Sequence, residues 1–337
     1  MDSGKQNTTH RWFWLAVKIT VSCILLIWLS KRISFAAASR HLLHADFQKI
    51  FLAFILLGLS LALTALRWHF SSTRLIEVTT AFRYTWISQF YGLFLPGATS
   101  ADLAKGVAMT ANRDSSCVTT LAASIVMERF TGLSCIVILG LLAHSWHPIV
   151  FPVSRTLTGS AAVIGLVLLA FFPTLLRVSL RLSQQMARLT RLHDLAQRLD
   201  WSVWSKTIVL SFAIVAANVT FYWTAYHAVG GEALWIQMGT YTCLDNLAMV
   251  LPVSVGGIGI RESISVALFA DGGEGVREVA FAWIVLFLGV LHGLIGFLLQ
   301  WQYLQKRGSP DRQTTPSQHP KSFPSNPTGK PRFGTEP

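Results

Sequence analysis

Residues Phe51 to Leu66 read FLAFILLGLSLALTAL, an apolar run without a charged side chain that ends directly at Arg67-Trp68-His69. A helix needs about 20 mostly apolar residues to cross a hydrocarbon core of roughly 30 Å, and this run with its flanks meets that length. Comparable runs lie at Phe13 to Ser30, Val118 to Ala143, Leu157 to Phe172, Thr207 to Val229 and Phe281 to Leu304, separated by short polar stretches. This spacing excludes one globular core. Of 337 residues 52% are hydrophobic and 13% charged, whereas a soluble domain carries roughly a quarter charged residues. The expected fold is an all-α polytopic membrane bundle.

The flanks refine the reading. Lys31 and Arg32 directly follow the first run, so it reads as an uncleaved span after a tail of residues 1–12 rather than as a signal peptide. Tryptophans near run ends, Trp12, Trp14, Trp68, Trp146, Trp201, Trp204, Trp235 and Trp301, suit the headgroup layer, and Arg67 reads as an interfacial anchor. The segment 175–206, with Arg177, Arg181, Arg188, Arg191, Arg198 and Lys206 among leucines, reads as a basic amphipathic cytoplasmic linker between two halves of the chain. The tail 306–337 is basic and polar and is expected to be disordered and cytoplasmic. With Lys206 and Lys306 both inside and the acidic loop Asp271 to Glu278 outside, four crossings are expected between them. The Lys and Arg counts around residues 31–49 and 67–83 are too similar to orient the N-terminal half.

Two regions do not read as uninterrupted spans. Leu95-Pro96-Gly97 breaks residues 84–109, and Leu251-Pro252 with Gly256-Gly257-Ile258-Gly259 breaks residues 234–270. Tyr84-Thr85 and Tyr241-Thr242 precede these breaks at nearly equal spacing, as an internal transporter repeat would leave them. Pro removes a backbone donor and Gly permits unusual dihedrals, so such a break at membrane depth implies protein or water that satisfies the freed groups. A helix resuming after Gly257 would offer N–H groups and a positive dipole end to a phosphate or carboxylate. Charges in apolar runs mark the same regions: Asp102, Lys105, Glu128, Arg129, Asp245, Arg261 and Glu262. Arg129 and Arg261 could hold a phosphate bidentately, with Asp102, Glu262, Glu128 and Lys105 as further contacts, and Asp245 and Asn246 ranked after them. The alternative is that Glu128, Arg129, Arg261 and Glu262 form buried pairs with distant partners and only brace the bundle, because neighbours on a helix point about 100° apart.

Soluble-enzyme signatures are absent: no GxSxG, P-loop, HExxH or dinucleotide fingerprint. The histidines show no HxxxH spacing, and Cys23, Cys117, Cys135 and Cys243 read as small hydrophobes. No cofactor or metal is expected. The net charge of +12 lies between apolar runs and in the tail, which suits anionic lipid rather than nucleic acid.

The stretch Leu251-Pro252-Val253-Ser254-Val255-Gly256-Gly257-Ile258-Gly259-Ile260-Arg261-Glu262, with Glu128-Arg129 before Gly132-Leu133 and Leu95-Pro96-Gly97 before Asp102, resembles the lysylphosphatidylglycerol synthase transmembrane-region family, also called flippase-like membrane proteins. In the first motif the family usually has Gly-Gly-Asp and then a basic residue, whereas here Ser100-Ala101-Asp102 precedes Lys105. The resemblance covers residues 13–304. It implies a domain of about eight spans that moves lipids or lipid-linked precursors between leaflets. Only a tail follows Leu304, so the lysine-transferring activity of some members is not carried over. The reading is a flippase for an anionic phospholipid or polyprenyl-phosphate-linked precursor in the cell membrane. Its alternative is a non-transporting partner of an envelope lipid or glycolipid biosynthetic enzyme, and a third is a membrane transferase using Asp102 and Glu262 as an acid/base pair.

Overall fold

The computed structural model describes residues 35–72, 75–94, 115–148, 154–182, 201–250, 257–270 and 275–308. The run Phe13 to Ser30, the N-terminal tail, the C-terminal tail from residue 309, and the site residues Pro96, Gly97, Asp102, Lys105, Pro252 and Gly256 lie outside them. The described residues form helices α1 (Phe35–Leu43), α2 (Phe47–Ser71), α3 (Val78–Phe94), α4 (Ser115–Trp146), α5 (Arg155–Leu182), α6 (Trp201–Ala228), α7 (Trp235–Val250), α8 (Ile260–Phe269) and α9 (Val276–Gly308). Five of these, within α2, α4, α5, α6 and α9, are long and apolar enough to cross a membrane. The chain divides into residues Met1–Gln300 and Trp301–Pro337, the second being described only along the last turns of α9.

The apolar side chains divide between two environments. Phe51, Leu52, Ile55 and Leu59 on α2, and Val163, Ile164, Val167 and Leu168 on α5, are exposed, as a lipid-facing surface requires. The core lies instead around α6, where Phe221, Tyr222, Ala225 and Tyr226 pack with Tyr241 of α7 and Phe281, Ile284 and Leu288 of α9. Small residues let backbones approach. A Cβ on Gly140 of α4 would overlap Cys243 of α7, and one on Gly296 of α9 would overlap the Trp86 carbonyl of α3.

The runs seen in sequence are extended at their polar ends, and one is extended through a proline. α5 continues past Pro173 to Leu182, so the basic linker expected over 175–206 begins as helix. Pro173 has no N–H for the carbonyl of Leu169 one turn earlier. The Trp204 indole Nε1 of α6 donates to that carbonyl at 3.1 Å. Trp204 is therefore buried at 1% exposure, as is Trp68 at 0%, so both rings pack inside the protein instead of facing a headgroup layer. Trp146, Trp201, Trp235 and Trp301 are exposed.

Contacts fix the two ends of the bundle. At one, Lys206 of α6 lies 5.6 Å from the ring of Phe70 near the end of α2. At the other, the Asp46 N–H before α2 donates to the Ala228 carbonyl that ends α6, at 2.9 Å. α7 descends from this second end antiparallel to α4, with Gln237 beside His147 and Gly239 against Ala143. α8 climbs back: Arg261 in its first turn meets Asp245 of α7, and Ser265 donates to the Glu278 carbonyl in the first turn of α9. Ten residues of α8 rise about 15 Å, half a bilayer core. α7 and α8 thus pack as an antiparallel hairpin, and neither is among the helices long and apolar enough to cross a membrane. Of the four segments expected to cross between Lys206 and Lys306, α6 and α9 are long and apolar enough to do so.

Candidate functional site

Arg261 stands where the hairpin returns. Gly257 and Gly259 have φ of 79° and 86°, values that glycine adopts without Cβ strain. Gly257 also lies against Met249, whose side chain a Cβ there would overlap. These turns start α8 with Gly259 as its N-cap. The Glu262 carboxylate accepts the Gly259 N–H at 2.7 Å, the carboxylate half of a capping box. Glu262 is thereby engaged at the helix start, 3% exposed, rather than paired with the neighbouring Arg261.

Arg261 reaches across to α7. Its Nε donates to Asp245 Oδ1 at 3.1 Å and its Nη2 to Oδ2 at 3.3 Å, a side-on bidentate pair. Tyr222 of α6 donates to the same Oδ2 at 2.7 Å. Asp245 is 1% exposed, so both its oxygens are filled by protein donors. The Arg261 Nη1 amino group bonds to nothing among the described residues. One turn before Asp245, the Tyr241 hydroxyl is fully buried and has no hydrogen-bond partner among the described residues.

A second buried pair lies in the other half of the chain. Arg67 Nε meets Glu128 Oε1 at 3.4 Å and its Nη1 donates to Ser211 of α6 at 2.9 Å. Arg67 is 8% exposed and sits over Gly132, where a Cβ would come to 3.2 Å from Nη1. The interfacial anchor expected from sequence is thus a core cation. Arg129 is half-buried one position beyond Glu128.

α6 joins the two pairs. Ser211, Asn218 and Tyr222 fall within about 20° of one helical face, and the outer two are about 16 Å apart along the axis. Ser211 binds Arg67, Asn218 accepts from Ser60 of α2 at 2.8 Å, and Tyr222 holds Asp245. Tyr226, one turn further, donates to Glu278 at 2.9 Å, and Arg277 lies 3.4 Å from that carboxylate. A polar seam therefore runs along the buried face of a spanning helix.

Of the residues marked in sequence, Arg261, Glu262, Gly257 and Gly259 come together, with Asp245 as the partner ranked too low. Glu128 belongs to the separate pair with Arg67. Tyr222, Tyr241 and Ser211 were missed because aromatic and hydroxyl residues on an apolar helix carry no signal without their partners. Among the described residues no three His, Cys, Asp or Glu side chains gather as a metal site would need.

Residues 15–299 match the sequence profile described as lysylphosphatidylglycerol synthase TM region. A comparison with curated proteins gives no match.

Proposed function

We propose, for a chain that belongs to the lysylphosphatidylglycerol synthase TM region family, that it moves an anionic phospholipid or a polyprenyl-phosphate-linked precursor between the leaflets of the cell membrane. Membership makes it a multi-pass membrane protein of a lipid-handling family. The observation that carries the finer reading is Arg261: a cation at the foot of the α7–α8 hairpin, with one amino group unbonded among the described residues. Broken helices with half-helix N-termini at membrane depth are where transporters bind anionic groups. Arg261 supplies the charge for a phosphate oxygen, and Arg129 is the second cation assigned to it from the sequence. No chemical step is assigned to the protein.

The test is a reconstituted assay of headgroup accessibility to a membrane-impermeant quencher, comparing wild type with Arg261→Ala and Arg261→Lys. Wild type is expected to speed exchange. Arg261→Ala is expected to lose most of that gain while purifying as a folded monodisperse protein, and Arg261→Lys to recover part of it.

A second reading rests on the saturation of Asp245 by Arg261 and Tyr222. If the arginines only brace the bundle, the protein serves as a membrane partner of an envelope lipid or glycolipid biosynthetic enzyme. Arg261→Ala would then lower stability, and no exchange would be seen with any variant.

A further inference from the structure

Among the described residues, Arg261 pairs with Asp245 at the foot of the hairpin, and Glu262 stands beside Arg261 in the first turn of α8. With one cation against two carboxylates, an added anion faces repulsion unless a carboxylate gives way. Glu262 is tied to the Gly259 N–H at the helix start. Asp245 is the carboxylate that occupies the bidentate edge of Arg261, the edge a phosphate oxygen pair would fit best.

We propose that Asp245 is a resident stand-in for the substrate's anionic oxygens, and that the Tyr241 hydroxyl receives the Asp245 carboxylate when a phosphodiester takes its place on Arg261. The proposal rests on the reading of Arg261 as the phosphate-binding group. Two features of the geometry support it. Tyr222 already donates to Asp245 Oδ2 at 2.7 Å, so one replacement donor is in place. Tyr241 is four residues before Asp245 on α7, hence on the same helical face, and its ring packs edge-on against Tyr222 at 5.2 Å between centroids. Its hydroxyl, 0% exposed at the residue level and without a partner among the described residues, is a donor that is costly to bury unused. The exchange gives that donor a role: the displaced carboxylate is held by two tyrosine hydroxyls, and the arginine passes to the ligand. Asp245 returns to Arg261 when the ligand leaves.

The experiment uses the full-length protein in detergent micelles, titrated with phosphatidylglycerol, with phosphatidylcholine as the net-neutral lipid and glycerol 1-phosphate as the free phosphate. Binding and thermal unfolding are read for wild type, Asp245→Asn and Tyr241→Phe. Tyr241→Phe keeps the ring and removes the unpartnered hydroxyl, so its unfolding temperature without ligand is expected to equal or exceed that of wild type. Its affinity for phosphatidylglycerol is expected to fall about tenfold, the loss of one hydrogen bond to a charged group. Asp245→Asn removes the competitor and is expected to unfold at lower temperature alone, to bind phosphatidylglycerol more tightly than wild type, and to be rescued by it. Glycerol 1-phosphate competing as well as the lipid would assign the site to free phosphate, contrary to the lipid reading.

Tyr241→Phe binding phosphatidylglycerol like wild type overturns the role of Tyr241, and Asp245→Asn binding it no more tightly overturns the exchange. Loss of the lipid site altogether, with wild type failing to bind phosphatidylglycerol, sinks the reading of Arg261 instead.

Discussion

Replacing Glu128 by Gln leaves Arg67 buried at 8% exposure with no carboxylate at its Nε and only the Ser211 hydroxyl at its Nη1. Removing one member of a buried pair strands the other charge, at a cost of about 3–5 kcal/mol. The structure argues for the lower part of that range, because the pair is long at 3.4 Å and the Arg67 side chain keeps 10% exposure. Replacing both residues, Arg67→Met with Glu128→Met, removes the two desolvation penalties together and is expected to recover most of the loss. Unfolding of wild type, Arg67→Met, Glu128→Met and the double variant, purified in bicelles and followed across a denaturing detergent titration, gives all four corners of the cycle. A double variant as unstable as Glu128→Gln would refute the pairing. Coupling near zero would mean the two residues act independently. If the double variant is stable yet inactive in lipid exchange, the pair belongs to the transport path as well as to the frame.

Three further outcomes follow from the packing. Trp204→Phe removes the donor that satisfies the Leu169 carbonyl beside Pro173, costing about 1–3 kcal/mol beyond the lost ring volume; adding Pro173→Ala restores a helical N–H and should cancel that part in an unfolding cycle. Gly296→Ala forces a methyl into the Trp86 carbonyl, and separation of α3 from α9 is expected to destabilise by about 1–3 kcal/mol, seen as a lower unfolding midpoint. The Lys49 N–H, with the Lys49 ammonium and the Gln48 N–H, holds the Asp46 carboxyl below its usual range. Its cap contribution is therefore full above the ordinary Asp value near pH ~3.9 and is lost as pH falls through the lower folded value; Asp46→Asn should flatten that acid limb of a pH–stability curve.

What could be read from sequence followed from what lipid demands of every spanning segment. Phe51 to Leu66 and its counterparts declare themselves because their apolar length has no other solvent. The break at Gly256-Gly257-Ile258-Gly259 was legible for a similar reason, since glycines and a preceding proline cannot continue a helix at depth. What escaped depends on a partner far along the chain. Arg67 looks interfacial at the end of its run until Glu128, 61 residues away, is brought beside it. Pro173 looks like a helix end until Trp204 fills the vacant hydrogen bond from 35 residues away. Asp245 drew less weight than Arg261 because a lone carboxylate on an apolar helix does not show which cation it will meet. The return of α8 toward the end where α7 began is a matter of contacts to α7 and α9, which periodicity does not encode.

The central claim is that this chain moves anionic lipid across the bilayer, and the transbilayer rate of phosphatidylglycerol in vesicles with and without the purified protein measures it directly. The account predicts a faster rate with the wild-type protein, lowered by Arg261→Ala. Equal rates with and without the protein would contradict it.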